Sequence, residues 1–364
     1  MRRAALALTV AVAGVALATA ALADGEPRPL SVSPADAKSA ERPAARARAT
    51  SRSALGSGRP VVLAFAGDVH FEGVLEAKLA ADPAGMLAPI RPVLDRADVA
   101  VVNLESAVTE GGSVVAKQFA FRAPPSAFVA LRGGGADVAS MANNHGLDFG
   151  VEGLRDSLAA ARRHRFPVIG IGLDDRQAYR PYRRTINGQR VAVLGATQVL
   201  DDHLISSWTA GPGKPGLASA KDVRRLLRAV REARRTSDTV VVFLHWGVEL
   251  EPCPSGDQRT LARQLVAAGA DVVVGGHAHR QQGAGRLGKA FVAYGLGNFV
   301  WYGSSELSTR SGVLLVTVTG RRVGSYRWVP ARIVDGVPRP LTGAEARREV
   351  AGWRSLRSCT GLRP

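Results

Sequence analysis

Seven histidines occur in this 364-residue chain. Five of them fall where short apolar runs give way to polar residues. They stand in Gly67-Asp68-Val69-His70, Asn143-Asn144-His145, His245-Trp246-Gly247 and Gly276-His277-Ala278-His279, with Asn103-Leu104-Glu105 between the first two. Imidazole and carboxylate are the main protein ligands of hydrolytic divalent metals. The pattern points to metal-dependent hydrolysis.

Asp68 and His70 are two apart at the end of an apolar run, so both side chains project to one side of a strand. Such a pair suits one cation, although an ordinary turn also carries this triplet. Asn103 and Glu105 repeat the spacing, and a carboxylate there either bridges two cations or simply ends a strand. Asn144 offers an amide oxygen to a metal, and His145 offers a proton to a leaving oxygen. Buried amides and imidazoles need partners, and glycines before this motif with Asp148 and Gly150 after it predict a tight loop. His245 ends six apolar residues, a setting that also suits a satisfied core histidine. Its neighbours Trp246, Gly247, Val248 and Glu249 favour a shaped polar pocket. The sharpest motif is Gly276-His277-Ala278-His279, two imidazoles on one side of a turn that glycine permits. His164 and His203 lack such settings and are read as surface residues.

The elements that must carry these motifs alternate. Val61 to Ala66, Asp98 to Val102, Asp137 to Met141, Phe166 to Ile171, Arg190 to Leu194, Thr239 to Leu244, Asp271 to Val274 and Phe291 to Tyr294 are strand-like runs. Between them Val151 to His164, Ala220 to Arg235 and Asp257 to Ala268 carry apolar residues at helical spacing. Gly312 to Thr319 and Arg322 to Val329 read as an antiparallel pair, and Thr342 to Leu356 as a last helix on the surface. Repeated βα order argues an α/β domain. In such folds ligands bind beyond the carboxyl ends of the strands, which is where every polar motif falls.

Composition sets the frame. With 46% apolar residues a sizeable core is available. Arg2 and Arg3 before an Ala-rich apolar stretch, with Ala21-Leu22-Ala23 after it, make residues 1–23 a signal peptide or a membrane anchor. Residues 24–58 are Ala, Pro, Arg and Ser without an apolar period, a disordered tether. One compact domain is expected over 59–364. The net charge is +17, mostly arginine dispersed over Arg162, Arg163, Arg165, Arg224, Arg225, Arg228, Arg231, Arg234 and Arg235. Such dispersion fits a solvated basic face better than a specific polyanion site. Aromatic residues are 5% and do not alternate with basic runs, so a nucleic-acid partner is not expected. Cys253 and Cys359 are the two cysteines; in an oxidising compartment they could pin the C-terminal tail to the loop after His245.

Taken together the motifs resemble the calcineurin-like metallophosphoesterase superfamily, and more closely its CapA-type branch associated with poly-γ-glutamate capsule synthesis. The resemblance rests on AFAGDVHFEG, VVNLESAVT, MANNHGLDFG, FLHWGVE, VVVGGHAHRQQG and YGLGNFV, and spans roughly residues 60 to 335. It implies a four-layer α/β/β/α sandwich with two divalent metal ions (Mn, Fe or Zn) at one edge of its sheets. By motif matching, Asp68, His70 and His279 would hold the first metal, and Asn144, His245 and His277 the second. His145 would be the acid or the phosphate-contacting residue. Where the wider superfamily has Gly-Asp, this chain has Asn103-Leu104-Glu105, so Glu105 would take the bridging role. Glu249, Arg122 and Asn103 are expected at the substrate.

The resemblance further implies a hydrolase acting on a phosphoester or on a γ-glutamyl polymer beside cell-surface or membrane synthesis machinery, and residues 1–23 make it a secreted or cell-surface one. Two cations about 3.5–4 Å apart would activate water and steady charge on a phosphoryl group. The rival reading is a non-catalytic surface component that binds or exports an anionic polymer.

Overall fold

The computed structural model describes residues 55–364. The export segment and nearly all of the tether expected from the sequence lie outside them. The apolar runs assemble into two large sheets. The first has eight strands: Val337–Pro340, Arg322–Val334, Arg310–Thr319, Val61–Val69, Val99–Leu104, Val138–Ser140 and Val168–Ile169 follow one another, and Asn298–Val300 also pairs with Val61–Val69. The second runs Ala284–Leu287, Ala290–Ala293, Val272–His277, Thr239–Trp246, Gln189–Thr197, Tyr182–Ile186. Its four central strands are parallel and both edge strands are antiparallel to their neighbours.

Strand periodicity explains how continuous apolar runs serve two cores at once. Val61, Leu63 and Phe65 join Val191, Val193, Val241 and Phe243 in one cluster that both sheets share. Ala64 and Ala66 face the other way, onto a cluster with Phe128, Leu131, Leu154 and Leu158 of helices Ala127–Gly133 and Gly150–Arg163. Val240, Val242 and Leu244 face a third cluster with Leu226, Val230, Leu261 and Leu265 of helices Val223–Thr236 and Gly256–Ala268. Each of the larger side chains contributes roughly 1.5–3 kcal/mol by leaving water. Helix starts follow local chemistry. Ser255 and Gln258 form a reciprocal capping box, and Asp222 accepts the Arg225 N–H at 3.0 Å, each satisfying an otherwise orphaned amide.

Several boundaries differ from expectation. The run Phe166 to Ile171 breaks into Val168–Ile169 and Ile171–Gly172, because Gly170 turns the chain at φ 86° with no room for a Cβ against Ala142. The antiparallel pair is longer than expected, Arg310–Thr319 against Arg322–Val334. The last helix, Gly343–Ser355, sends Trp353 into the inter-sheet core, stacked on Trp328 at 5.3 Å. Helix Val74–Ala81 and edge strand Tyr182–Ile186 carried no clear apolar period. Cys253 and Cys359 form a disulfide that joins the segment after strand Thr239–Trp246 to the C-terminal turn. Among the described residues no helix is long and apolar enough to cross a membrane.

Candidate metal centre

Five parallel strands from both sheets deliver their carboxyl ends to one place. Asp68 lies near the end of strand Val61–Val69, Asn103 near the end of Val99–Leu104, and Glu105 one residue past it. Asn143 follows Val138–Ser140, His245 lies in Thr239–Trp246, and His277 closes Val272–His277. The two sheets are tied here, since Asp68 Oδ2 accepts the His277 N–H at 3.0 Å. Gly276 permits that approach: a Cβ on it would stand 2.3 Å from Asp68 Oδ1. His277 and His279 occupy left-handed backbone, φ 87° and 50°, a cost of about 1–3 kcal/mol each that the surroundings must hold.

Asn103 is the hub. Its Nδ2 donates to Asp68 Oδ1 at 2.8 Å and stands 3.2 Å from His245 Nδ1 and 3.4 Å from Glu105 Oε2. Its orientation is inherited. Asn143 donates to the Leu104 carbonyl and accepts the His145 N–H, which turns its own Nδ2 toward Asn103 Oδ1. His245 sets Nδ1 against Asn103 and Nε2 2.7 Å from Asn144 Oδ1, so that Nε2 faces the same space as Glu105 Oε1. Asn103 was expected at the substrate; fully buried with its amide engaged on every side, it lies beneath the centre instead.

Glu105 is fully buried, and its Oε1 lies 3.3 Å from His245 Nε2 and 3.9 Å from His145 Nε2 without a hydrogen bond to either. His277 Nδ1 is likewise buried without a partner. Leaving such atoms unsatisfied costs about 1–3 kcal/mol, and more for a charged group. Three groups of side chains bring ligand atoms close enough to hold an ion: Asp68, Glu105 and His279; Glu105, His245 and His277; and Glu249, His277 and His279. Glu105 belongs to two of them. Glu249, expected at the substrate, is exposed yet reaches the two imidazoles of the last motif.

Burial keeps three of the imidazoles neutral, and the surroundings favour the protonated forms of Asp68 and His279. Burial, reinforced by the His279 and His145 charges, lowers His70 to about 3. Burial against an opposing Asp68 lowers His245 to about 3. Burial, then the charge of His245, holds His277 well below the usual range. These imidazoles keep their lone pairs. Burial and the neighbouring Glu105 raise Asp68 to about 6. Burial pulls His279 down, but Glu105, Asp68 and a 2.9 Å contact with Asn298 Oδ1 outweigh it, and its pKa is raised.

His145 stands beside this group with its Nδ1 2.5 Å from Asp148 Oδ2. Asp148 in turn accepts Lys117 Nζ at 2.7 Å and the Phe121 N–H at 2.7 Å. Lys117 also donates to the Asn144 carbonyl, and Phe121 stacks on the His145 ring at 4.0 Å. Nε2 is thereby aimed toward Glu105 while Nδ1 is held.

Two expected residues have partners of their own. His70 is fully buried, but its Nδ1 accepts the Glu72 N–H at 3.1 Å and its Nε2 faces the Tyr302 N–H at 3.4 Å. Phe121, Trp301 and Tyr302 enclose the ring. A neutral imidazole has one acceptor nitrogen, so two donors already compete for it, and His70 joins none of the three groups. Arg122 lies over the Phe149 ring at 3.8 Å, and its backbone N–H is held by the Glu72 carboxylate. Residues the sequence reading passed over are Lys117, Asn298 and the aromatic wall of Phe121, Trp301 and Tyr302. Asn298 lay inside a quoted motif, and Asp148 three residues after His145 was a local signal. Lys117 had none.

A two-sheet α/β protein with a buried histidine–carboxylate centre at its strand ends is the class that fold and site define. The chain belongs to the bacterial capsule synthesis protein family PGA_cap, whose model matches residues 62–302. It is similar to the PGA biosynthesis protein CapA of Bacillus subtilis (strain 168), 28% identical over 285 residues, covering 76% of this chain and 73% of that protein. The capsule biosynthesis protein CapA of Bacillus anthracis is 31% identical over 218 residues, 59% of this chain; the match spans about half that relative, 52%. A probable polyglutamine synthesis accessory protein of Mycobacterium tuberculosis (strain ATCC 25618 / H37Rv) is 27% identical over 251 residues, 65% of this chain and 66% of its own length. Among solved structures, a hypothetical protein from Thermus thermophilus aligns with TM-score 0.47 and 17% identity over 74% of this chain and 99% of its own. A 5'-nucleotidase from Candida albicans SC5314 aligns with TM-score 0.45 and 11% identity over 81% of this chain and 57% of its own.

Proposed function

We propose that this chain is an exported metal-dependent hydrolase of capsule-type polymer synthesis, acting on a phosphoester or on a γ-glutamyl polymer. One observation carries the reading: Glu105, buried with an unpartnered oxygen, is shared by two adjacent ligand groups. Asp68, Glu105 and His279 would hold one divalent cation. Glu105, His245 and His277, with the Asn144 amide oxygen beside them, would hold the other. When bound, such cations supply charge stabilisation at a phosphoryl or acyl oxygen and activate water.

The remaining roles belong to the chain itself. His145 would deliver a proton from Nε2 to the leaving oxygen, its Nδ1 steadied by Asp148. Lys117 balances Asp148 and pins the Asn144 carbonyl, so the two loop residues keep their places. Glu249 at the exposed rim would meet either a cation or the substrate. The four-layer α/β/β/α arrangement of a metallophosphoesterase-like domain over 59–364 is supported by the three core clusters. Export is supported by the apolar N-terminal stretch and by the disulfide, a bond that persists in oxidising compartments.

The test is elemental analysis of the purified chain beside Asp68→Ala, followed by a screen over phosphoesters and γ-linked polyglutamate. About two ions per chain, as a two-metal site requires, lost in the variant along with turnover, is the expected result. A chain that takes up no Mn, Fe or Zn on reconstitution refutes the hydrolase.

A further inference from the structure

Away from the metal centre, four arginines from separate segments meet at one concavity. The edge strands of the two sheets, Val168–Ile169 and Tyr182–Ile186, border a cavity of ≈ 460 Å³ on the flank of the sandwich. Four arginines line it. Arg162 and Arg165 come from the end of helix Gly150–Arg163 and the turn after it, Arg180 from the stretch after helix Asp175–Ala178, and Arg183 from the edge strand itself. All four are exposed. No carboxylate lines this cavity, and among the described residues none of the four makes an ion pair. Arg183 is steadied by the hydroxyls of Thr236 and Ser237 at 2.8 and 2.9 Å.

The adjoining hollow shows what a balanced surface looks like. It shares Arg165, Phe166, Pro167 and Tyr182 with the first cavity and gathers Arg91, Arg132 and Arg184 but also Asp95, Asp98 and Asp137. There Arg91 pairs with Asp95 at 3.1 Å and Arg184 with Asp137 at 3.4 Å. The four-arginine cavity lacks that compensation. Convergence of arginines from separate segments on one concavity exceeds what a solvated helix face requires. Arg162 and Arg165 gather here with Arg180 and Arg183, while Arg224, Arg228, Arg231 and Arg235 stay exposed on a helix elsewhere, as expected from the sequence.

We propose that this seam groove binds an extended polycarboxylate chain and holds it apart from the metal centre. Guanidinium forks match carboxylates in bidentate geometry. Pro167, Val168 and Pro181, half-buried along its lining, offer apolar contact to the methylenes between successive acid groups. A flat anionic membrane would not fill a concavity. A nucleic acid would call for stacking rings, and among the lining residues only Phe166, which is buried, and Tyr182 are aromatic. That the occupant is glutamyl polymer rests on the function proposed above; the groove and its charge do not.

The test measures binding of labelled γ-linked polyglutamate to the full chain by fluorescence anisotropy, at low and high salt. Arg162→Glu/Arg180→Glu is expected to weaken binding about tenfold or more, with the loss shrinking at high salt. Arg228→Glu/Arg231→Glu, on the exposed face of helix Val223–Thr236, is the equal-charge control and should retain nearly full affinity. Should the first pair fail to fold, Arg162→Gln/Arg180→Gln carries the same comparison. Unchanged affinity in the groove variant overturns the proposal, and so does an equal loss in the helix control, which would mean diffuse net charge. Groove-dependent binding of phosphatidylglycerol vesicles or of a single-stranded oligonucleotide, without polymer binding, also overturns it. Metal content and small-phosphoester turnover should match wild type in the groove variant. If the groove fails while these persist, the hydrolase stands; if polymer binds a chain that holds no metal, the groove stands and the hydrolase falls.

Discussion

The metal centre and the seam groove are both charged, and they are built in opposite ways. In the centre, Asp68, Glu105 and His245 are withdrawn from water, and their directions are set by a relay from the Leu104 carbonyl through Asn143 and Asn103. In the groove, four guanidinium groups stand in solvent, and among the described residues only Arg183 has partners that fix it. Burial makes the first region demanding: an unpaired buried charge costs several kcal/mol, so what is missing there can be inferred from atoms left unsatisfied. Exposure makes the second forgiving, and what is missing there is a counter-charge.

That difference also decides what sequence could reveal. Strand-end chemistry is local, because an apolar run followed by glycine and a polar triplet announces itself in a few residues. Asp68, Glu105, Asn144, His245, His277 and His279 were legible for that reason, and the alternating elements with them. His70 was legible as a motif, but its fate depended on the Tyr302 N–H, more than two hundred residues away. Lys117 sits in a loop with no period and meets Asp148 only through tertiary packing. The groove was illegible because Arg162 ends a helix and Arg183 lies on a sheet edge, and only the fold makes them neighbours.

The sharpest way to break the contrast is Glu105→Ala. If one carboxylate serves both ligand groups, bound metal should fall from about two ions per chain, the number a two-metal site takes, to none. Charge reversal in the groove should leave the count unchanged. Retention of one ion by Glu105→Ala, measured by elemental analysis, would show that Glu105 is not shared.

Acid should expose the same asymmetry in the chelated, metal-free protein. His70 and His245 titrate near about 3 when folded against 6.5 as free groups, so the unfolded chain holds more protons between those values. Their contribution is complete above pH 6.5 and is lost as pH falls toward 3. His277 acts in the same direction. Asp68, raised from 3.8 to about 6, opposes them: its contribution is present below 3.8 and is lost as pH rises through 6. His279, raised above 6.5, keeps its proton in both states below that value and adds no slope there. His70 and His245 outnumber the one opposing carboxyl and His277 adds to them, so the net slope between pH 4 and 6 runs toward lower stability as pH falls. Urea midpoints at pH 7 and pH 5 should therefore drop on acidification. A flat profile would mean the imidazoles are not held neutral in the fold.

Lys117→Met separates a buried charge from an exposed one directly. Lys117 and Asp148 are 8% and 0% exposed at their side chains, and removing one partner of such a pair costs about 3–5 kcal/mol. The Phe121 N–H and His145 remain on Asp148, which places the expected loss toward the lower figure. Chemical denaturation reads it. A loss under about 1 kcal/mol, the range of surface pairs, would mean that Asp148 is already satisfied without the lysine.

The smallest effect belongs to the groove and carries the opposite sign. Arg162→Gln removes one of four like charges with no carboxylate to lose, so it should change stability by no more than about 0.5 kcal/mol. At low salt the change should favour the variant, because repulsion among the remaining arginines is relieved. At high salt it should vanish as screening shortens to a few ångströms. Thermal melting at the two salt concentrations separates the cases. Destabilisation that persists at high salt would make Arg162 a packing residue. Stabilisation confined to low salt would identify it as a charge held in place at a cost, which only a bound anion recovers.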